Sequence, residues 1–111
     1  MFTRKLSFTK PIYPKARAMG ITEFPYYEYD SNGNITYHEE SDGVWLIREY
    51  DSNSDKTYYE NSKGAWERYE FDSNRNELYY ENYYGYWIKR VYDSIGKKIY
   101  SEDSKGHIQR Y

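Results

Sequence analysis

Residues 29–49 read YDSNGNITYHEESDGVWLIRE, and residues 50–70 read YDSNSDKTYYENSKGAWERYE. Laid over one another, they agree at the opening Tyr-Asp-Ser, at the ninth Tyr, the eleventh Glu, the fifteenth Gly and the Trp two residues later. The pattern continues without insertion through FDSNRNELYYENYYGYWIKRV (71–91) and YDSIGKKIYSEDSKGHIQRY (92–111). Self-similarity at a fixed period is the signature of a repeat architecture, in which one supersecondary unit is copied and stacked. The invariant rows are Asp30, Asp51, Asp72 and Asp93; Tyr37, Tyr58, Tyr79 and Tyr100; Glu39, Glu60, Glu81 and Glu102; and Gly43, Gly64, Gly85 and Gly106. Trp45, Trp66 and Trp87 form a further row that Ile108 closes. Residues 21–28 (ITEFPYYE) read as half a unit, with Phe24 at the Trp position.

Each unit reads as two short strands and two turns. NITYHEE, KTYYEN, ELYYEN and KKIYSED are rich in Tyr and Thr, which suit a pleated, half-buried surface. The following turn ends in the invariant Gly, as a position with φ > 0 after a type I turn requires. The second strand (VWLIREY, AWERYEF, YWIKRVY) runs into Asp-Ser-Asn-Gly-Asn or a relative, where the Asp can cap backbone amides in an Asx-turn. Gly33 and Gly96 suit a φ > 0 site there, while Ser54 and Arg75 must tolerate it. Two turns in 21 residues leave about 6–7 residues per strand, an ordinary length. The expected fold is therefore all-β: an antiparallel meander of about eight strands built from four 21-residue β-hairpin repeats, with 21–28 as a candidate ninth. Alternation gives neither face a clean apolar pattern, so a curled, largely single-layer sheet is expected rather than a sandwich. The division is a basic N-terminal arm or cap over 1–20 and a repeat domain over 21–111, with units 29–49, 50–70, 71–91 and 92–111.

Composition fits this reading. The 111 residues include 17 Tyr, 3 Trp and 4 Phe against 8 Ile, 3 Leu and 2 Val. Charged residues make up 31%, which alone would suggest disorder, but a 22% aromatic content argues against it. What core exists must be built from rings. There is no Cys, so no disulfide framework and no thiolate chemistry. No apolar run approaches a membrane span, and the N-terminus lacks the apolar stretch of a signal peptide, which reads as a cytoplasmic protein. The net charge of −2 hides an asymmetry. Residues 1–20 carry Arg4, Lys5, Lys10, Lys15 and Arg17 and no acid, a sum of +5; the other 91 residues hold eleven bases and eighteen acids, a sum of −7.

The Tyr-Asp pair at fixed period, followed by Ser-Asn-Gly-Asn and a later Gly, resembles the tyrosine–aspartate (YD) repeats of the RHS family. Residues 29–34 and 50–53 carry the likeness most closely, and it extends over 29–111. In that family many repeats form a shell around a toxin; four units enclose nothing, so the shell role does not transfer. The chain also looks like short YDSNGN-type repeat proteins of phages and mobile elements, some of which inhibit bacterial defence. That resemblance implies an inhibitor of a nuclease complex of the anti-CRISPR kind, acting in the host cytoplasm. A second resemblance is to choline-binding cell-wall repeats, implying a module for a quaternary ammonium or a glycan. Here Gly43-Val44-Trp45 departs from the adjacent Gly-Trp of those repeats. A structural or immunity scaffold is the third reading.

The residues themselves argue against catalysis. The Glu row offers carboxylates, but a repeat supplies such a row automatically, and nothing distinguishes an acid from a base. His38 and His107 occupy unrelated repeat positions with no metal spacing. No Gly-x-Ser-x-Gly elbow and no phosphate loop occurs, and no cofactor is expected. Arg48, Arg68, Lys89, Arg90 and Arg110 lie among Glu49, Glu67 and Glu70, so pairing within the sheet is expected and direct nucleic-acid binding is not. The exception to the pattern is the third unit, where Tyr83-Tyr84-Gly85-Tyr86-Trp87 replaces Ser-x-Gly beside Tyr79-Tyr80. Tyr and Trp are preferred anchors of protein interfaces. The candidate partner-binding set is thus Tyr80, Tyr83, Tyr84, Tyr86 and Trp87 with the acidic row Glu39, Glu60 and Glu81. The partner expected is a protein, a nuclease or CRISPR effector by the resemblance. Open sheet edges also suit a homodimer.

Overall fold

The computed structural model describes residues 12–111. Nine strands run in chain order through one antiparallel sheet: β1 (Tyr26–Tyr29), β2 (Ile35–Glu39), β3 (Trp45–Tyr50), β4 (Lys56–Asn61), β5 (Trp66–Phe71), β6 (Glu77–Asn82), β7 (Trp87–Tyr92), β8 (Lys98–Asp103) and β9 (Ile108–Arg110). The half unit supplies β1, so nine strands form rather than eight. The sheet is a single open layer, with β1 and β9 at its edges. One helical turn, α1 (Lys15–Ala18), precedes it. Residues 1–11 of the expected arm lie outside the described residues.

The turns explain the period. In each, the residue opening the turn accepts from the amide three residues on, and its own amide donates to the carbonyl four residues on. Asp30 does so with Gly33 and Asn34, and Asn61 with Gly64 and Ala65. Asp51, Asp72, Asn82, Asp93 and Asp103 open identical turns, and Glu40 opens one with the same backbone pattern. In the seven Asx turns the side-chain oxygen also caps the amide two residues on, at 2.9–3.0 Å. Both turns of a unit are therefore one structure. The cap at Asn61, Asn82 and Asp103 was not part of the sequence expectation, which placed caps only after the Tyr-Asp pair. The fourth turn residue has positive φ throughout, with Ser54 at 61° and Arg75 at 68° where glycine is replaced.

The two halves of a unit still differ by one residue. The register between β1 and β2 jumps from Glu28↔Tyr37 to Tyr29↔Ile35, leaving Thr36 without a partner. The same shift recurs at Thr57, Leu78 and Ile99. A bulge of one residue thus lengthens every second connection, so that 21 is ten plus eleven. Bulges increase local twist, which suits an elongated open sheet of 54 × 30 × 26 Å.

Strand register puts all the fixed Tyr, Glu and Trp residues on one face. Tyr37 lies opposite Ile47 and Glu39 opposite Trp45; Tyr58 and Glu60 lie opposite Arg68 and Trp66; Tyr79 and Glu81 opposite Lys89 and Trp87. The other face carries Tyr27, His38, Leu46, Arg48, Tyr59, Glu67, Tyr69, Tyr80, Ile88 and Arg90 by the same register. Burial is slight. Among the described residues only Ala16, Tyr37 and Tyr58 are buried hydrophobics, joined by Glu39 and Ser101. The sheet is held by its ladder, by cross-strand ring pairs of roughly 0.2–1 kcal/mol each, and by cationic stems over rings. Lys56 lies over Tyr59 and Tyr69, and Tyr69 packs on Tyr80 at 5.1 Å.

Candidate functional site

On the conserved-pattern face, the ninth and eleventh residues of a unit point the same way two positions apart along one strand. The phenol therefore reaches the carboxylate. Tyr37 donates to Glu39 at 2.7 Å, Tyr58 to Glu60 at 2.9 Å, Tyr79 to Glu81 at 3.1 Å and Tyr100 to Glu102 at 3.0 Å. Ionising such a phenol would set a second negative charge beside the first. The hydroxyls of Tyr37 and Tyr79 are raised first by burial and then by this bond; for Tyr100 the bond to Glu102 leads. The Glu row is thus one half of a repeated hydrogen-bonded pair.

In the first unit this pair lies under residues 13–17. Lys15 N–H donates to Tyr37 Oη at 2.8 Å, and Ala16 N–H to Glu39 Oε1 at 2.7 Å. Arg17 pairs with Glu39 Oε2, and Lys15 with Glu28. Tyr13 stacks on Trp45 with ring centroids 4.5 Å apart, and Arg17 lies over Phe24 at 4.0 Å. Glu39 has 0% exposure. Burial pushes its carboxyl up, but the bonds from Tyr37, Ala16 and Arg17 outweigh that and hold it below its ordinary value of 4.5. Glu28 behaves alike, with burial opposed by Lys15 and Tyr26. The basic arm is thus a strap over the acidic face, as far as the described residues 12–20 extend.

In the third unit the sheet closes the pair itself. Arg68 Nε donates to Glu81 at 2.9 Å from the neighbouring strand, and Lys89 lies over Trp87 at 5.1 Å. The cause is a row across the sheet: Tyr26, Ile47, Arg68, Lys89 and Arg110 occupy equivalent positions, 21 residues apart. Toward β1 that row is uncharged, and toward β9 it is cationic. Of the other bases in the group expected to pair internally, Arg90 pairs with Glu77, whereas Arg110 lies over the Tyr100 ring at 5.4 Å and Arg48 over the Tyr59 ring at 6.0 Å.

The ring-rich tip divides around the sheet. Trp87 stands on the Tyr–Glu–Trp face. Tyr80 stands on the other, where it donates to Glu67 Oε2 at 2.7 Å and meets Tyr86 at 6.3 Å. Tyr83 and Tyr84 form the turn between β6 and β7, 43% and 80% exposed with ring centroids 4.1 Å apart. They edge a groove of about 230 Å³ that reaches Tyr59, Ala65 and Trp66. The structure thus joins Tyr83 with Tyr84, and Tyr80 with Tyr86. It sets Trp87 apart from Tyr80 and Tyr86, and it hides Glu39. The arm's grip on Glu39 was legible in the sequence only as opposite charge.

His38 stacks on Tyr27 at 4.7 Å, its Nε2 2.8 Å from Glu40, and exposed His107 touches Asp103. Among the described residues no cluster of three His, Asp or Glu side chains is arranged to hold a metal ion, and no helix is long and apolar enough to cross a membrane. Comparison with protein-family models and with curated proteins finds no match.

Proposed function

We propose that this protein is a non-catalytic binding protein whose target is another protein, and that it inhibits a bacterial defence nuclease complex in the manner of anti-CRISPR proteins. The observation that carries the binding reading is the Tyr83–Tyr84 turn. Two touching, solvent-facing rings tilted 33° to one another sit there at a hairpin tip, at a place where the other units hold Ser and Lys or Asp. Rigid aromatic anchors bring large contact area at low entropic cost. Around them the repeat domain sums to −7, a sign that steers it toward the basic groove of a nuclease. The choice of target class rests on the resemblance to phage YDSNGN-repeat proteins. The cell-wall alternative, an aromatic cage for a quaternary ammonium, is less well supported, because the ring pair Tyr59 and Tyr69 already holds Lys56.

The test is an inhibition and binding panel of purified CRISPR effector complexes, run with the unmodified chain and with Tyr83→Ala/Tyr84→Ala. The expected result is inhibition of at least one effector, with the double variant at least about tenfold weaker at unchanged thermal stability. Inhibition that survives the double substitution removes the tip from the proposal. No inhibition across the panel removes the nuclease target.

A further inference from the structure

The contacts that fill the Tyr37–Glu39–Trp45 site come from one short linear segment. Tyr13 supplies the ring on Trp45, the amides of Lys15 and Ala16 supply two donors, and the Lys15 and Arg17 side chains supply two cations. The sheet supplies acceptors, negative charge and the rings of Tyr37 and Trp45. Ala16 has 0% exposure at the centre of the contact, so the site admits a small residue between the two bases. The helical turn of the segment spans four residues, too few to hold itself in water; its shape is imposed by the site. Contacts of this kind need no covalent link between segment and sheet. The link contributes effective concentration only.

The third unit shows why the site takes a segment. With Arg68 and Lys89 in place, the same Tyr–Glu–Trp triplet closes on itself. With Tyr26 and Ile47 in those positions, Glu39 of the first triplet pairs with Arg17 of the arm, and Glu28 with Lys15.

We infer that the Tyr37–Glu39–Trp45 site is a peptide-binding site for a linear partner segment of the form Tyr-x-base-small-base, and that residues 13–17 are its resident occupant. A partner segment enters by displacing the arm, so the arm sets the threshold for binding. The inference stands apart from the nuclease reading, since peptide binding is measured with no nuclease present.

The experiment uses the full chain carrying Lys15→Glu/Arg17→Glu, which repels the arm from Glu28 and Glu39, and a labelled peptide of residues 12–20. Fluorescence polarisation reads binding, and circular dichroism reads the fold. If the double variant does not fold, the full chain with Arg17→Ala takes its place. The expected result is saturable binding to the variant and at least about tenfold weaker binding to the unmodified chain, whose own arm holds the site. Peptides with Arg17→Ala or Ala16→Leu, and the variant with Glu39→Gln added, each lose about tenfold or more. Equal binding to variant and unmodified chain overturns the inference, as does equal binding of a scrambled peptide, which reports charge attraction alone. Light scattering that finds the unmodified chain as an arm-exchanged dimer also overturns it, by making a second copy the occupant.

Discussion

The first and third units carry the same triplet at the same register, Tyr37–Glu39–Trp45 and Tyr79–Glu81–Trp87, yet they reach electrical balance by different routes. In the third, the partner cation is Arg68, one strand away, and Lys89 covers the Trp ring. In the first, both duties pass to the arm, through Arg17 and Tyr13. The consequence is visible in burial: Glu39 is fully enclosed, whereas the Glu81 side chain keeps 21% of its surface. A carboxylate satisfied from within the sheet remains near water. Glu39, enclosed beneath the strap, is sealed and so depends on every donor around it, while Glu28, at the strap's margin with Lys15, keeps 27% of its side-chain surface.

That difference can be broken most forcefully at Glu39 itself. Glu39→Ala leaves the buried Ala16 N–H and the Tyr37 hydroxyl without their acceptor and takes the carboxylate from Arg17, which keeps the Ser41 carbonyl, and it is expected to cost about 3 kcal/mol in urea unfolding. Glu81→Ala, at the equivalent position, is expected to cost about 1 kcal/mol, since water reaches Arg68 when the partner leaves. Equal losses at the two sites would mean that the strap adds nothing to the first. Acid sharpens the same contrast. Glu39 and Glu28 lie below their ordinary value of 4.5 in the folded chain. Their contribution is therefore fully present above pH 4.5 and is lost as the pH falls through their depressed values. The arm is expected to lift off Trp45 over that range, read as a change in Trp fluorescence, and Glu39→Gln is expected to flatten the step. The smallest effect tests the turns, where the first and second units differ in residue. Ser54 occupies the left-handed region that glycine holds in the first unit at Gly33, so Ser54→Gly is expected to raise stability by up to about 1 kcal/mol in thermal unfolding. Loss of stability there would mean that the Ser54 hydroxyl, which accepts from Asn34 at 3.0 Å, outweighs the backbone strain.

The tip and the rows were not equally legible. The rows were plain, because identical spacing across four units identifies strand, turn and face together. The tip was legible as a departure from the pattern, but its geometry was not. Tyr86 and Trp87 are neighbours along the chain, with Tyr80 on the preceding strand, and the pleat, which turns successive side chains to opposite faces, sets Trp87 apart from the other two. The second Asx cap was also missed, because Asn61, Asn82 and Asp103 vary in identity while Glu40 breaks the series. The common feature is a backbone pattern, and residue type records it only in part. The charge imbalance between residues 1–20 and the rest pointed to an arm on the sheet, without showing which acid it would seal.

What the amino-acid sequence determined alone was the repeating unit: strand length, turn position, the sites of positive φ and the all-β, single-layer class. These follow from local chemistry, from glycine and Asx at turns and from Tyr and Thr in strands, repeated until the register allowed no other pairing. What only the tertiary structure decided was the bulge that makes 21 from ten and eleven, the gathering of every Tyr–Glu–Trp triplet on one face, and the sealing of Glu39 by Tyr13, Lys15, Ala16 and Arg17. The bulge and the shared face follow from pairing between adjacent strands, and the sealing of Glu39 from contacts between residues more than 20 positions apart in the chain, where charge and hydrogen bonding act through space.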